Sequence, residues 1–171
     1  MKEKNQYRLS ARLVNSLRKK VEELQKSKRM YQDLYEDAPD MYFTVTPDGI
    51  VKSVNQFGVN CLGYKKEELV GESVWIIVHK DDLKKVQKQV REIFDKRLRR
   101  SHLEFRKVRK NGSVIFVQER TRLILDKKNN PVELRLMCRD VTQQRKADEK
   151  LKQQREKSEE ELKALKKKLK M

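Results

Sequence analysis

The residues able to do chemistry are few. Two cysteines, Cys61 and Cys138, and two histidines, His79 and His102, are the whole stock of thiols and imidazoles in 171 residues. Two cysteines with no Cys-x-x-Cys spacing supply neither a disulfide framework nor a structural zinc site. Two isolated histidines do not make a metal centre. There is no Gly-x-Gly-x-x-Gly, no phosphate-binding loop and no nucleophile motif. The expectation is a chain without catalytic residues and without a metal. Both cysteines read as small buried apolar fillers. His79 reads as a loop or capping residue ahead of a helix, and His102 as a surface or pocket-edge residue on a strand.

What the chain has in abundance is charge. Lys and Arg number 43 against 26 Asp and Glu, a formal net charge of +17, and charged residues make up 40% of the sequence. The hydrophobic share is only 36%, below the usual ~45–50% of a globular domain. A compact core diluted by polar segments fits these figures. No run approaches the ~20 apolar residues of a membrane span. No apolar stretch follows the basic start as in a secretion signal. A cytoplasmic location is expected.

The breakers locate the core. All five glycines and all three prolines fall between Pro39 and Pro131, so both ends lack the strongest helix breakers. Residues 1–35 read as a long N-terminal helix. Tyr7, Val14, Leu17, Val21, Leu24, Tyr31 and Tyr35 follow alternating steps of three and four, with Ser10 and Lys28 filling the gaps in a coiled-coil seam. So narrow a stripe on a helix of about 50 Å calls for a partner helix, most simply that of a second subunit in a homodimer. Residues 143–171 form a second, weaker helical segment, basic and marginal. Leu151, Leu162, Leu165 and Leu169 keep a seam that Arg155 and Ser158 interrupt.

The middle, residues 36–142, holds the strand signals. Short β-prone runs at 42–46 and 50–54 flank the turn Pro47-Asp48-Gly49. Short helical pieces punctuated by Gly58, Gly63 and Gly71 follow. A longer helix over 80–96 places Leu83, Val86, Val90, Ile93 and Phe94 on one face, with Asp81 and Asp82 at its N-terminus. Runs at 99–110 and 113–125 flank Asn111-Gly112, a hairpin signal. A fifth strand covers 132–139, with Leu134, Leu136 and Cys138 on one face. This order gives an α+β domain: one antiparallel sheet with helices across one face.

These residues resemble a PAS domain. The resemblance covers 36–142 and rests on Pro47-Asp48-Gly49-Ile50, Asn55, Leu62-Gly63-Tyr64 with Glu68-Leu69-Val70-Gly71, and His79-Lys80-Asp81-Asp82, where Lys80 replaces the family's proline. Phe105-Arg106, Arg109-Lys110-Asn111-Gly112 and the closing Arg139-Asp140-Val141-Thr142 complete it. It implies a five-stranded sheet in the order 2-1-5-4-3, with helices walling a cavity. It also implies a sensory or dimerising role in which flanking helices carry the signal, as in two-component histidine kinases.

The resemblance also bears on cofactors. Flavin-binding relatives that form a cysteinyl adduct carry the cysteine just after the Glu-Leu-Val-Gly-like segment, where this chain has Val74. Haem-binding relatives use a histidine on the long helix, and residues 83–96 contain none. Residues 143–171 hold no phosphoacceptor histidine and nothing here would bind ATP, so a kinase activity would belong to a longer chain or a partner. A small apolar ligand is left open. The pocket it would use is lined by Phe43, Val51, Trp75, Ile77, Val86, Val90, Phe94, Phe105, Leu136 and Cys138, unless these side chains simply fill the core. Asn55 reads as structural, bonding local backbone.

Asp140, Val141 and Thr142 stand where the last strand becomes the final helix. Thr142 is of N-cap type, its hydroxyl suited to an orphan amide of the first turn. Asp140 is suited to pair with Arg120 or Arg122. The leading reading is a non-catalytic sensory and dimerisation module relaying to an output such as a histidine kinase. The alternative is a basic nucleic-acid-binding or regulatory protein using the central domain to dimerise. Interleaving of bases with acids, and the lack of a stacking cluster, argue against nucleic acid. A thin apolar face argues against membrane-surface binding by the C-terminus.

Overall fold

The computed structural model describes residues 2–169, with side chains described over 13–166. The chain divides into two units after Ala38. In the first, Lys2–Glu36 forms one uninterrupted helix, α1, as a stretch free of Gly and Pro allows. Val14, Leu17, Val21, Leu24 and Tyr31 stand exposed along it, and Tyr35 is half-buried. The side chain of Tyr7 lies outside the described residues.

The second unit is built on a five-stranded antiparallel sheet: β1 Met41–Val45, β2 Val51–Val54, β3 Arg100–Val108, β4 Val114–Leu125 and β5 Pro131–Asp140. The spatial order is β2-β1-β5-β4-β3, the order that the family resemblance implies. Register follows from alternation. Met41, Phe43 and Val45 point inward on β1, opposite Cys138, Leu136 and Leu134 of β5. Ile115, Val117 and Leu123 do the same on β4. Their other neighbours face solvent on the outer surface.

Helices cover the inner face. Gln56–Leu62 forms α2, Lys80–Asp95 forms α3, and two short 3₁₀ turns, Lys66–Glu68 and Val74–Ile77, lie between them. The expected stripe on α3 is the one that packs. Val86 and Ile93 are buried, with Leu83, Val90 and Phe94 against them. Asn55 starts α2. Its side-chain oxygen accepts from the Gly58 and Tyr42 amides, and its amide nitrogen donates to the Asp40 carbonyl.

The β1–β2 turn needs its glycine twice over. Gly49 has φ +83°, and a Cβ there would meet the Trp75 indole nitrogen at 3.1 Å. The β3–β4 hairpin closes through Gly112, also at positive φ. Its amide donates to the Arg109 carbonyl while the Arg109 amide donates to Ser113, a three-residue loop rather than a two-residue one. The chain leaves the sheet as α4, Thr142–Leu169. Leu151, Leu162 and Leu165 are exposed on it, and the Leu169 side chain lies outside the described residues.

Candidate functional site

Between α3 and the inner face of the sheet lies a small cavity. Trp75, Val86, Val90, Phe94, Phe105 and Leu136 line it. The other four residues expected there, Phe43, Val51, Ile77 and Cys138, are fully buried packing around it and do not line it. The free space is about 20 Å³, room for roughly one water. As it stands, this interior is nearly filled.

Two lining residues that the sequence reading missed are charged. Lys107 and Glu119 both point inward, their side chains 1% and 7% exposed, with Lys107 Nζ 3.4 Å from Glu119 Oε2. The Lys107 ammonium also lies over the faces of Phe105 (4.8 Å to the centroid) and Phe43 (5.5 Å), a second source of stabilisation for a desolvated cation. Cys138, directly across the ladder from Glu119, donates its S–H to Glu119 Oε2 at 3.1 Å. The signal was present as alternation. Lys107 is in phase with Phe105, and Glu119 with Val117 and Leu123. Residue type alone argued for the outside.

Electrostatics assigns roles within this cluster. Burial pushes the Cys138 thiol well above its usual range, so at neutral pH it is a protonated donor and a poor nucleophile. Burial also works against the Lys107 charge, but the acidic groups facing it, Cys138 when ionised and the Glu119 carboxylate, outweigh that and raise its pKa. With the thiol protonated at neutral pH, the carboxylate is the effective counter-ion. The half-buried Cys61 thiol is likewise raised by burial.

The edges of the site are clamped. His79 caps α3, Nδ1 accepting from the Asp81 amide. Asp82 accepts from the Arg106 amide at 2.7 Å, from Nε at 3.0 Å and from a terminal guanidinium nitrogen at 2.8 Å. The Arg106 guanidinium holds the Asp82 carboxyl down at about 2. His102 is exposed on the outer face, opposite Arg120.

The exit junction differs from expectation in two respects. Thr142 is not the N-cap. The Val141 carbonyl already accepts from Arg145, so Thr142 is the first helical residue, and its hydroxyl accepts instead from the Phe116 amide of β4 at 2.9 Å. The reason lies in the ladder. β5 ends at Asp140 opposite Val117, which leaves the next β4 residue unpaired on that side. The Val141 amide donates to the Phe116 carbonyl, and the Thr142 hydroxyl takes the Phe116 amide. Asp140 does the capping, its Oδ1 accepting from the Thr142 amide at 2.9 Å. Nor is its cationic partner Arg120 or Arg122, which project from the outer face. It is Arg109, 3.4 Å away, whose Nε also donates to the Cys61 carbonyl of α2 at 2.7 Å.

Comparison with known proteins agrees with this architecture. A family model described as the PAS fold matches residues 51–136. The chain belongs to the PAS family. A PAS domain of an HTR-like protein from Haloarcula marismortui is similar at 25% identity, with TM-score 0.62 over 72% of this chain and 98% of that one. A sensory box histidine kinase/response regulator from Burkholderia thailandensis is similar at 20% identity, with TM-score 0.60 over 76% and 98%. A PAS domain from Colwellia psychrerythraea is similar at 17% identity, with TM-score 0.62 over 67% and 97%. No curated protein matches the chain. Beside its PAS relatives, this chain is a PAS domain flanked by long helices, and no described helix is long and apolar enough to cross a membrane.

Proposed function

We propose that this PAS chain is a non-catalytic sensory and dimerisation module whose flanking helices relay a signal to an output such as a histidine kinase. One observation carries the reading. A continuous run of polar contacts joins α2 to the first turn of α4 through Arg109, two residues beyond the cavity-lining Lys107: Cys61 carbonyl, Arg109, Asp140, Thr142 amide, with the Thr142 hydroxyl fastened to Phe116. A shift of α2 or of the β3–β4 hairpin alters what holds the start of α4. The helix is exposed along its described length and marginal in composition, so a coupling of about 1–3 kcal/mol is enough to change how it pairs. The input is a change inside the cavity at Lys107 and Glu119, whether a small ligand or a repacking. The apolar stripe from Val14 to Tyr35 supports a homodimer through α1, since a solvated stripe of that length gains by burial against a second copy.

The dimer is tested by light scattering on the full chain across concentration. A dimeric mass is expected, falling to monomer in Leu17→Asp with Val21→Asp, while the sheet domain still melts cooperatively. A wild-type chain that is monomeric at its highest soluble concentration removes the dimer from the proposal.

A further inference from the structure

Bases and acids are interleaved along this sequence, yet the fold sorts them. Period-2 alternation sends Glu119 inward to Lys107 and its neighbours Arg120 and Arg122 outward. Lysine outnumbers arginine in the chain as a whole. On the outer face of the sheet the order is reversed, with Arg100, Arg120, Arg122, Arg135 and Arg139 against Lys52. Arg135 and Lys52 are held by Glu133, and Arg139 by Asp40. The other three arginines differ. Among the described residues, no ion pair or side-chain hydrogen bond involves Arg100, Arg120 or Arg122. Arg100 stands directly opposite Arg122, and Arg120 opposite Met137 of β5. Met137 is half-buried in the middle of the face, with Tyr42 of β1 on its other side. Apolar surface on β1 and β5 therefore lies beside unpaired cations on β3 and β4, around a shallow groove of about 710 Å³.

Like charges placed directly opposite on neighbouring strands destabilise a sheet, and a partner of opposite sign removes that repulsion. The mixture of side chains narrows the partner further. Met, Tyr and Arg are enriched at protein interfaces, and Lys is depleted there. The guanidinium fork takes a carboxylate through two parallel hydrogen bonds, which an ammonium does not. A second copy docking through this face would bring the same three unpaired arginines to the contact. Both α1 and α4 carry more bases than acids, so neither is a good match in charge. The backbones of Arg100, Arg120 and Arg122 lie within about 8 Å of one another, a spacing that carboxylates one helical turn apart can meet. We infer that the outer face of the sheet docks an acidic, amphipathic segment of a different protein. Its carboxylates sit on Arg100, Arg120 and Arg122, and an apolar side chain of the same segment packs on Met137.

The test is fluorescence anisotropy of the full chain with a labelled peptide of about 18 residues in which Glu and Leu share one helical face. Combining Arg100→Ala, Arg120→Ala and Arg122→Ala should weaken binding at least about tenfold and leave the melting temperature unchanged or raised. Met137→Ala should weaken it by about tenfold as well. Lys84→Ala, Lys88→Ala and Arg91→Ala together remove as much charge from exposed α3 positions and should change affinity by less than about twofold. The inference is overturned if the peptide is not bound at about 50 mM salt, or if the arginine variant binds it as the parent does. It is also overturned if Met137→Ala and a peptide with Ser in place of Leu both bind unchanged, which would make the arginines a bare anion site. A mixed-sequence RNA of about 15 nucleotides that binds more tightly than the peptide, and loses affinity in the arginine variant alone, overturns it in favour of nucleic acid. A chain that dimerises but does not take the peptide leaves the relay proposal standing and removes this one.

Discussion

Replacing Lys107 with Met tests whether the buried charge pair organises the cavity. Methionine keeps most of the length and apolar volume while deleting the ammonium. Glu119 would then keep only the Cys138 thiol, 3.1 Å away, as a donor, in a site where its side chain is 7% exposed. Breaking a buried ion pair from one side costs about 3–5 kcal/mol, whereas replacing both partners with apolar groups of similar volume is often neutral or better. Lys107→Met should therefore lower stability by about 3–5 kcal/mol. Adding Glu119→Leu should return most of that loss. The assay is urea unfolding of the four members of the double-mutant cycle, read as midpoints with the slope checked for constancy. A single variant as stable as the parent, or a double variant as unstable as the sum of its parts, would falsify the claim that Lys107 and Glu119 act as a mutually dependent pair.

Other consequences are simpler. Asp82→Asn should cost about 1–2 kcal/mol at neutral pH, allowing for solvent screening around Arg106. Because the folded carboxyl titrates lower than the unfolded one, at about 2, this contribution is full above about pH 4 and disappears as the pH falls toward 2; urea midpoints against pH check it. Gly49→Ala should destabilise by about 1–3 kcal/mol in a thermal melt, since it forces a side chain into positive φ and against Trp75. Asp140→Ala with Thr142→Ala should raise amide exchange in the first turn of α4 while leaving the strand amides protected. Equal exchange in parent and variant would mean that these two side chains do not hold the helix start.

Much of the fold was legible because alternation and breakers agree at nearly every element. Pro47 and Gly49 fix one turn and Gly112 another, and the α3 stripe admits a single buried face. The interior was less legible. Six of the ten expected residues line the cavity and four are packing around it, because sequence periodicity reports which face a residue takes and not its depth. Lys107 and Glu119 were hidden by their type. Each is tolerable inside only because the other is there, and that pairing joins positions that are not direct neighbours in the strand register. The junction misled for a related reason. Thr142 has the chemistry of a cap, but β5 stops one residue short of satisfying Phe116, and that ladder vacancy claims its hydroxyl first. The partner of Asp140 was equally hidden. Arg120 and Arg122 are near in strand register but face outward, while Arg109 arrives from the hairpin.

The most direct measurement perturbs the cavity and reads the helix. Val90→Ala enlarges the space beneath α3 without touching Arg109, Asp140 or Thr142, and hydrogen exchange followed by residue reports on α4. The account predicts altered protection at Arg145 and Lys146, with the α1 amides unchanged. If the sheet and α3 amides around residue 90 respond while the first turn of α4 exchanges as in the parent, the cavity and the exit helix are not coupled.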